Sequence, residues 1–193
     1  MARNREFNTE EVIQKAVQLF WNNGFNGVST QELINEFGLS KSSMYGAFGD
    51  KKQLFIIALQ QYRREVSKPL IDLLDNCIEV KKTITDILNS QVLQILSDTN
   101  TKGCFIVNTS IELAPHDSDI AKIVKENRDE VESAFTRAIK KGKKNGEFSN
   151  NKNPEAISRF LLNAINGLNV DAKYFKDKRI FDDVIKTALT ILD

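Results

Sequence analysis

Four helix starts, each with its own side-chain cap, fall inside the first 55 residues, and they constrain the fold more than any other feature. Asn8 can cap a first helix, with Glu11 three residues on to close a capping box. Val12, Ile13, Ala16, Val17 and Phe20 then form one apolar stripe at helical spacing, and Gly24 supplies the stop. Ser29 and Glu32 repeat the box, Leu33, Ile34 and Phe37 make the inward side, and Gly38 ends that helix. Ser40 can cap a third helix. Asp50 with Gln53 opens a fourth, striped by Leu54, Phe55, Ala58, Leu59 and Tyr62. A strand would need alternation of period two, and no segment shows it convincingly.

The rest of the chain reads as helical with looser ends. Helices are expected near 83–97, 103–114 (stopped by Pro115), 117–142, 154–173 and 180–192, with Pro154 as a first-turn proline. Pro69 should kink or end the fourth helix, residues 70–82 are ambiguous, and "KKGKKNGEFSNNKN" reads as the clearest loop. The expected class is therefore all-α, with about nine helices.

At 193 residues the chain can bury a core without disulfides or metal. Its net charge of +1 says little about partners, and residues 1–68 hold nine Lys/Arg against seven Asp/Glu. Cys77 and Cys104 are too few, and too unlike a metal spacing, for a zinc site. The opening "MARNREFNTEEV" has no apolar signal core, and no apolar run approaches the ~18 residues of a membrane span. The expectation is a cytoplasmic protein with reduced thiols, no membrane and no cofactor. No Ser/His/Asp set, carboxylate pair or phosphate loop stands out, so no enzyme is expected. His116, the sole histidine, lacks companions for a metal.

Two short helices joined through a glycine turn, with a third before them, make a helix-turn-helix. The second helix of such a pair can enter the DNA major groove. It needs an apolar side to dock on its own domain, here Leu39, Met44 and Phe48. Its other side needs short polar groups so that the backbone can approach the bases, and Lys41, Ser42, Ser43 and Tyr45 meet that demand. Lys51, at the next helix N-terminus, is a natural phosphate anchor. The bland reading is a packing device with a solvated polar face.

Residues 8 to 58, from "LFWNNGFNGVST" to "ELINEFGLSKSSMYGAFGDKKQLF", resemble the N-terminal domain of TetR-family transcriptional regulators. The likeness rests on Gly24-Phe25, Ser29-Thr30, the Gly38-Leu39-Ser40 turn, Tyr45, Phe48, Lys51 and Leu54. It implies a helix-turn-helix DNA-binding domain over 1–50, then a helical effector-binding and dimerisation domain over 51–193. Position by position, it makes Thr30 and Lys51 phosphate contacts and Tyr45 a backbone or base contact. Lys41, Ser42 and Ser43 become sequence readers, and Gln31 a further contact. Gly46 and Ala47 depart from the larger pair common in the family. Lys52 replaces an acidic residue and is a candidate extra phosphate contact. Arg3 and Arg5 are either a disordered tail or an arm reaching DNA.

For the second half, the resemblance implies that two late helices per subunit pack as a four-helix bundle. The residues expected there are Phe160, Leu161, Ala164, Gly167, Leu168, Ile185 and Leu189. The other reading is that these faces cover the monomer's own core. Dimerisation has a physical motive: a two-fold pair of recognition helices reads half-sites roughly 34 Å apart, in a palindromic operator. "KGCFIVNTSIELAPHDSDI" resembles a subset of the family that includes thiol-based sensors, with Cys104 at the sensing position. A cysteine near a helix N-terminus has its thiolate stabilised there, though the usual fate of a free cysteine is that of a small buried apolar residue. Phe105, Asn108 and Glu112 share or flank one side of that helix and could orient a ligand, or lie exposed. The resulting expectation is a repressor released from double-stranded DNA by a small apolar or electrophilic effector, or by thiol modification. The alternative is a helix-turn-helix protein-interaction module without sequence-specific DNA binding.

Overall fold

The computed structural model describes residues 7–148 and 152–193; the Arg3 and Arg5 arm lies outside them. Their regular structure is helical throughout. The elements are α1 (Thr9–Asn23), α2 (Thr30–Phe37), α3 (Lys41–Phe48), α4 (Lys51–Tyr62), α5 (Lys68–Asn76), α6 (Val80–Ser97), α7 (Phe105–Glu112), α8 (Ser118–Lys144), α9 (Pro154–Asp171) and α10 (Lys178–Leu189). A 3₁₀ turn, Thr190–Leu192, ends the chain's helical part. α4 and α5 are joined without a break by a π turn, Arg63–Ser67, which gives nine continuous helical rods among the described residues. None of these helices is long and apolar enough to cross a membrane.

Caps explain most of the starts. The Ser29/Glu32 and Asp50/Gln53 boxes form in both directions. Asn8 caps α1 by accepting from the Glu10 and Glu11 amides, but Glu11 turns outward to Lys15, so that box is only half made. Ser40 caps α3 through the Ser43 amide, and Asn153 caps α9 with Pro154 in the first turn. Gly38 takes φ 64°, ψ 25°, the left-handed conformation that stops a helix cheaply only at glycine. Leu39 N–H then returns to the Ile34 carbonyl at 3.3 Å and fixes the turn into α3.

Pro69 neither ends the fourth helix nor breaks it. A proline there removes one backbone donor and crowds the preceding turn, and the π turn just before it absorbs the mismatch. Elsewhere the helix ends differ from the sequence reading by a few residues. α6 begins at Val80, α7 is shorter than expected, and α8 runs two residues further, into the lysine-rich stretch.

Two apolar cores result. The first gathers α1 to α4 around Phe20, Leu33, Met44, Phe55 and Leu59, and it also takes in Phe105, Ile106, Ile120 and Ile123. The second joins α5, α6, α8, α9 and α10 around Leu88, Phe135, Leu161 and Phe181. The division expected after residue 50 falls at the α4 cap, whereas the first core extends through α4 and into α7 and α8. The start of α7 thus packs with the N-terminal half.

Two glycines in the helix-turn-helix should respond with opposite sign to alanine. A Cβ on Gly46, inside α3, meets nothing within 4 Å, so Gly46→Ala should stabilise the fold by about 0.5–1 kcal/mol. Gly38 has equally open surroundings but positive φ, so Gly38→Ala should destabilise by about 1 kcal/mol. Urea melts of both variants check the pair; a shift of the same sign in both would be inconsistent with this backbone.

Candidate functional site

The outer side of α3 is polar and accessible. Met44 and Phe48 are buried, while Lys41, Ser42, Ser43, Tyr45, Gly46 and Ala47 are exposed, Tyr45 by 40%. Lys41 Nζ sits 5.8 Å from the centre of the Tyr45 ring. The Ser42 and Ser43 hydroxyls lie 3.0 and 2.8 Å from Ser40 Oγ, so in the free chain they are gathered around the cap. On α2, Gln31 is exposed and donates to Asn35 Oδ1 at 2.9 Å, and Thr30 is half-buried at the first turn.

The two lysines opening α4 behave differently from each other. Lys51 Nζ lies 4.2 Å over the Phe25 ring. Burial lowers its pKa, and the charges of Glu112 and Glu32 oppose that shift. Lys52, expected as an extra phosphate contact, instead forms ion pairs with Asp117 at 2.8 Å and Asp119 at 2.9 Å. Hydrogen bonds to those two carboxylates raise the Lys52 pKa. It ties α4 to the start of α8.

Glu112 makes a second tie. Its carboxylate accepts from the Phe25 amide at 3.0 Å and the Asn26 amide at 2.7 Å, just past the end of α1. The expectation that Glu112 orients a ligand is therefore corrected: it clasps the turn leading to α2. Phe105 is also not a ligand residue. It is buried in the first core, edge-on to Phe55 at 5.4 Å and Tyr62 at 5.6 Å. Asn108 donates to the Lys102 carbonyl at 2.8 Å and shapes the loop before α7.

Of that expected quartet, Cys104 alone lines a cavity of about 400 Å³. The cavity lies where the two halves meet, with Trp21 of α1 and Tyr62 of α4 on one side and α6, α8 and α9 on the other. The π turn contributes Val66 and Ser67. Cys104 is the N-cap residue of α7, and Tyr62 Oη donates to its Sγ at 3.5 Å. Burial, and then the sulfur itself, push the Tyr62 pKa well above its ordinary value, so the phenol keeps its proton for that bond. Lys102 Nζ sits over Trp21, 4.4 Å from the ring centre. Trp21 Nε1 donates to the Gly103 carbonyl at 3.0 Å.

Residues 12–57 match the bacterial regulatory proteins of the tetR family, and residues 84–188 match the tetracyclin repressor-like C-terminal domain. The chain belongs to the TetR family. It is a DNA-binding transcriptional regulator rather than an isolated interaction module. It is 29% identical over the whole of both chains to YezE of Bacillus subtilis, an uncharacterized HTH-type transcriptional regulator. With the HTH-type transcriptional repressor ComR of Escherichia coli it shares 24% identity, over 89% of this chain and 82% of ComR. A solved cysteine variant of the TetR-family regulator CifR, complexed with 26-bp operator DNA, superposes with a TM-score of 0.87 at 25% identity, covering 99% of this chain and 100% of CifR. Reduced NemR of E. coli matches the fold with a TM-score of 0.84 at 21% identity, over 95% and 96% of the chains.

Within the TetR fold, the expected dimer residues divide. Leu161, Leu168 and Ile185 are buried in the chain's own second core, so they are corrected from interface to interior. Ala164 and Leu189 pack partly against that core. Phe160 is 45% exposed, and Gly167 faces open space on the same outer side of α9. Val184 of α10 is also exposed, as are Val170 of α9 and Ile180 of α10, two residues absent from the sequence expectation. Apart from Cys104, the cavity's lining residues were missed as well, Asn127 among them. Asn127 stands in the apolar stripe of α8, seven after Ile120 and four before Val131, and a carboxamide in a core position was the signal.

The Glu112 clasp should be measurable. Glu112→Ala removes two charge-assisted hydrogen bonds at a half-buried site and should cost about 1–2 kcal/mol of stability. Hydrogen exchange should quicken most at Phe25 and Asn26. Unchanged protection of those two amides would show that the clasp does not hold the turn.

Proposed function

We propose that this TetR-family protein is a homodimeric repressor that leaves a palindromic operator when a small apolar or electrophilic molecule occupies the cavity. The observation that carries the reading is the cavity's shared wall: Trp21 and Tyr62 belong to the helices that support α2 and α3, so an occupant touches the DNA-binding half directly. ComR and BdcR of E. coli, both named transcriptional repressors, support the direction of regulation, and the operator complex of CifR supports the DNA partner. In this reading Lys41, Ser42, Ser43 and Tyr45 meet base edges and phosphates, Thr30 and Lys51 hold the backbone, and Gln31 adds a contact.

Anisotropy titration of DNA from the protein's own upstream region, against excess unrelated duplex and across a salt series, tests it. Competitor-resistant binding is expected. Lys41→Ala should weaken it and lower the log K against log salt slope by about one, as for a lost phosphate contact. Displacement by unrelated DNA at every salt concentration would sink the operator reading.

The dimer is proposed through the exposed apolar sides of α9 and α10, centred on Phe160, Gly167, Val170 and Val184. A charge at the middle of such a face is left desolvated without a partner. Phe160→Glu should therefore yield monomers in light scattering and lose operator affinity by at least tenfold. A Phe160→Glu protein that stays dimeric would move the interface elsewhere.

A second route to release is favoured by Cys104 itself. In the cavity, its sulfur adds to the activated double bond of an electrophile, forming a C–S bond while the thiol proton passes to the adjacent carbon. N-ethylmaleimide should release DNA from the native protein and not from Cys104→Ser. Equal release from both would exclude this thiol as a sensor.

A further inference from the structure

The cavity's demands on its occupant can be read from its polar atoms. Asn127 is 6% exposed and lines the cavity, and its Oδ1 is the one fully buried side-chain oxygen or nitrogen without a hydrogen-bond partner among the described residues. Buried polar atoms are nearly always paired, by protein or by something bound. The one other buried carboxamide of the lining, Asn169, is paired at both ends: Gln91 Nε2 donates to its Oδ1 at 3.3 Å, and its Nδ2 donates to the Ile165 carbonyl at 2.9 Å.

Two charged side chains line the cavity, Asp98 and Lys102, and both are half-buried rather than buried. Asp98 accepts from the Asn100 amide at 3.0 Å and the Lys102 amide at 2.6 Å. Lys102 places its ammonium on Trp21 and 3.4 Å from Gln18 Oε1. The remaining lining is aliphatic or aromatic, with carboxamides, hydroxyls and the Cys104 thiol. The buried lining around Asn127 carries no charged side chain, so an ionised group placed there would lose its hydration with no opposite charge beside it.

We infer that the cavity selects an uncharged ligand with an apolar body and a single hydroxyl or N–H group that donates to Asn127 Oδ1. This rests on the proposed effector role of the cavity but concerns recognition, which is measured without DNA. Apolar bulk supplies affinity, and the donor supplies selectivity, because a ligand lacking it leaves the amide oxygen as unpaired as before. Asn127 is a specificity residue in this account, and Cys104 is not required for it.

Three matched probes test the inference: thymol, p-cymene, which lacks only the hydroxyl, and 4-isopropylbenzoate, which is anionic. Trp21 is the chain's sole tryptophan and lines the cavity, so its fluorescence reports occupancy, with calorimetry as a check. The native protein should bind thymol at least tenfold more tightly than p-cymene and bind the carboxylate weakest. In Asn127→Leu the preference for thymol should vanish while p-cymene binds as well or better, which also shows that the variant is folded. Equal affinity for thymol and p-cymene, tightest binding by the carboxylate, no binding by any probe, or a thymol preference that survives Asn127→Leu would each overturn the inference. The same samples are titrated with operator DNA. Probes that bind in the expected order without releasing DNA would refute the proposed switch and leave the recognition rule intact. Release of DNA by a molecule that ignores that order would do the reverse.

Discussion

The seating of α7 holds the two halves in one arrangement, and the positions of the other parts depend on it. Its first residue, Phe105, is driven edge-on into a chain of rings running through Phe55, Tyr62, Phe20 and Trp21. Its last, Glu112, holds two backbone amides beyond α1. The helix is eight residues long, too short to be stable alone, so tertiary packing and these end contacts must hold it. Aromatic pairs of this kind contribute about 0.5–1.5 kcal/mol each beyond their buried area. Lys52 with Asp117 and Asp119 closes the same junction from the α4 side. Being exposed ion pairs, those contacts contribute orientation more than stability.

That junction gives the cavity its position. It opens beside the loop before α7, whose path is fixed by Trp21 on Gly103 and by Asp98 on the Lys102 amide. Gly103 is needed there: at φ 63° its backbone passes so close to α9 that a Cβ would lie 2.7 Å from the Asn169 carbonyl. The π turn, which exists because Pro69 cannot continue an ordinary helix, turns Val66 and Ser67 toward the same space. Local backbone accommodations on two sides of the cavity thus set its shape.

Capping boxes, glycine stops and apolar stripes were legible in the sequence because each is decided within four residues. Ser29 with Glu32, Asp50 with Gln53, and Asn153 before Pro154 all appear where the sequence puts them. Roles decided by distant partners were not legible. Glu112 and Lys52 sit on polar helix sides with no local sign of the amides and carboxylates they meet across the junction. Leu161, Leu168 and Ile185 show why periodicity stops short of assembly: a stripe says that a side is covered, not whether by the same chain or a second one. Asn127 was readable in principle, as a polar residue inside an apolar stripe, whereas the cavity that gives it meaning comes from seven helices at once.

Magnitudes limit what occupancy of this cavity can do. Moving a conformational equilibrium from 1:99 to 99:1 requires about 5.5 kcal/mol of differential affinity. A ligand that buries 200–250 Å² of apolar area gains roughly 5–6 kcal/mol at 25 cal/mol per Å². The two figures are comparable, so nearly all of the binding energy must be absent from the DNA-competent conformation. A cavity walled only by α6, α8 and α9 would offer the same contacts in both conformations and shift nothing. Trp21 and Tyr62 differ from that case, because they stand on α1 and α4, which share one apolar core with α2 and α3. Whatever separates those two rings from the effector helices loses contact with the ligand at the same time. In the proposed switch, coupling between occupancy and DNA geometry would reside in that wall, with no longer route required.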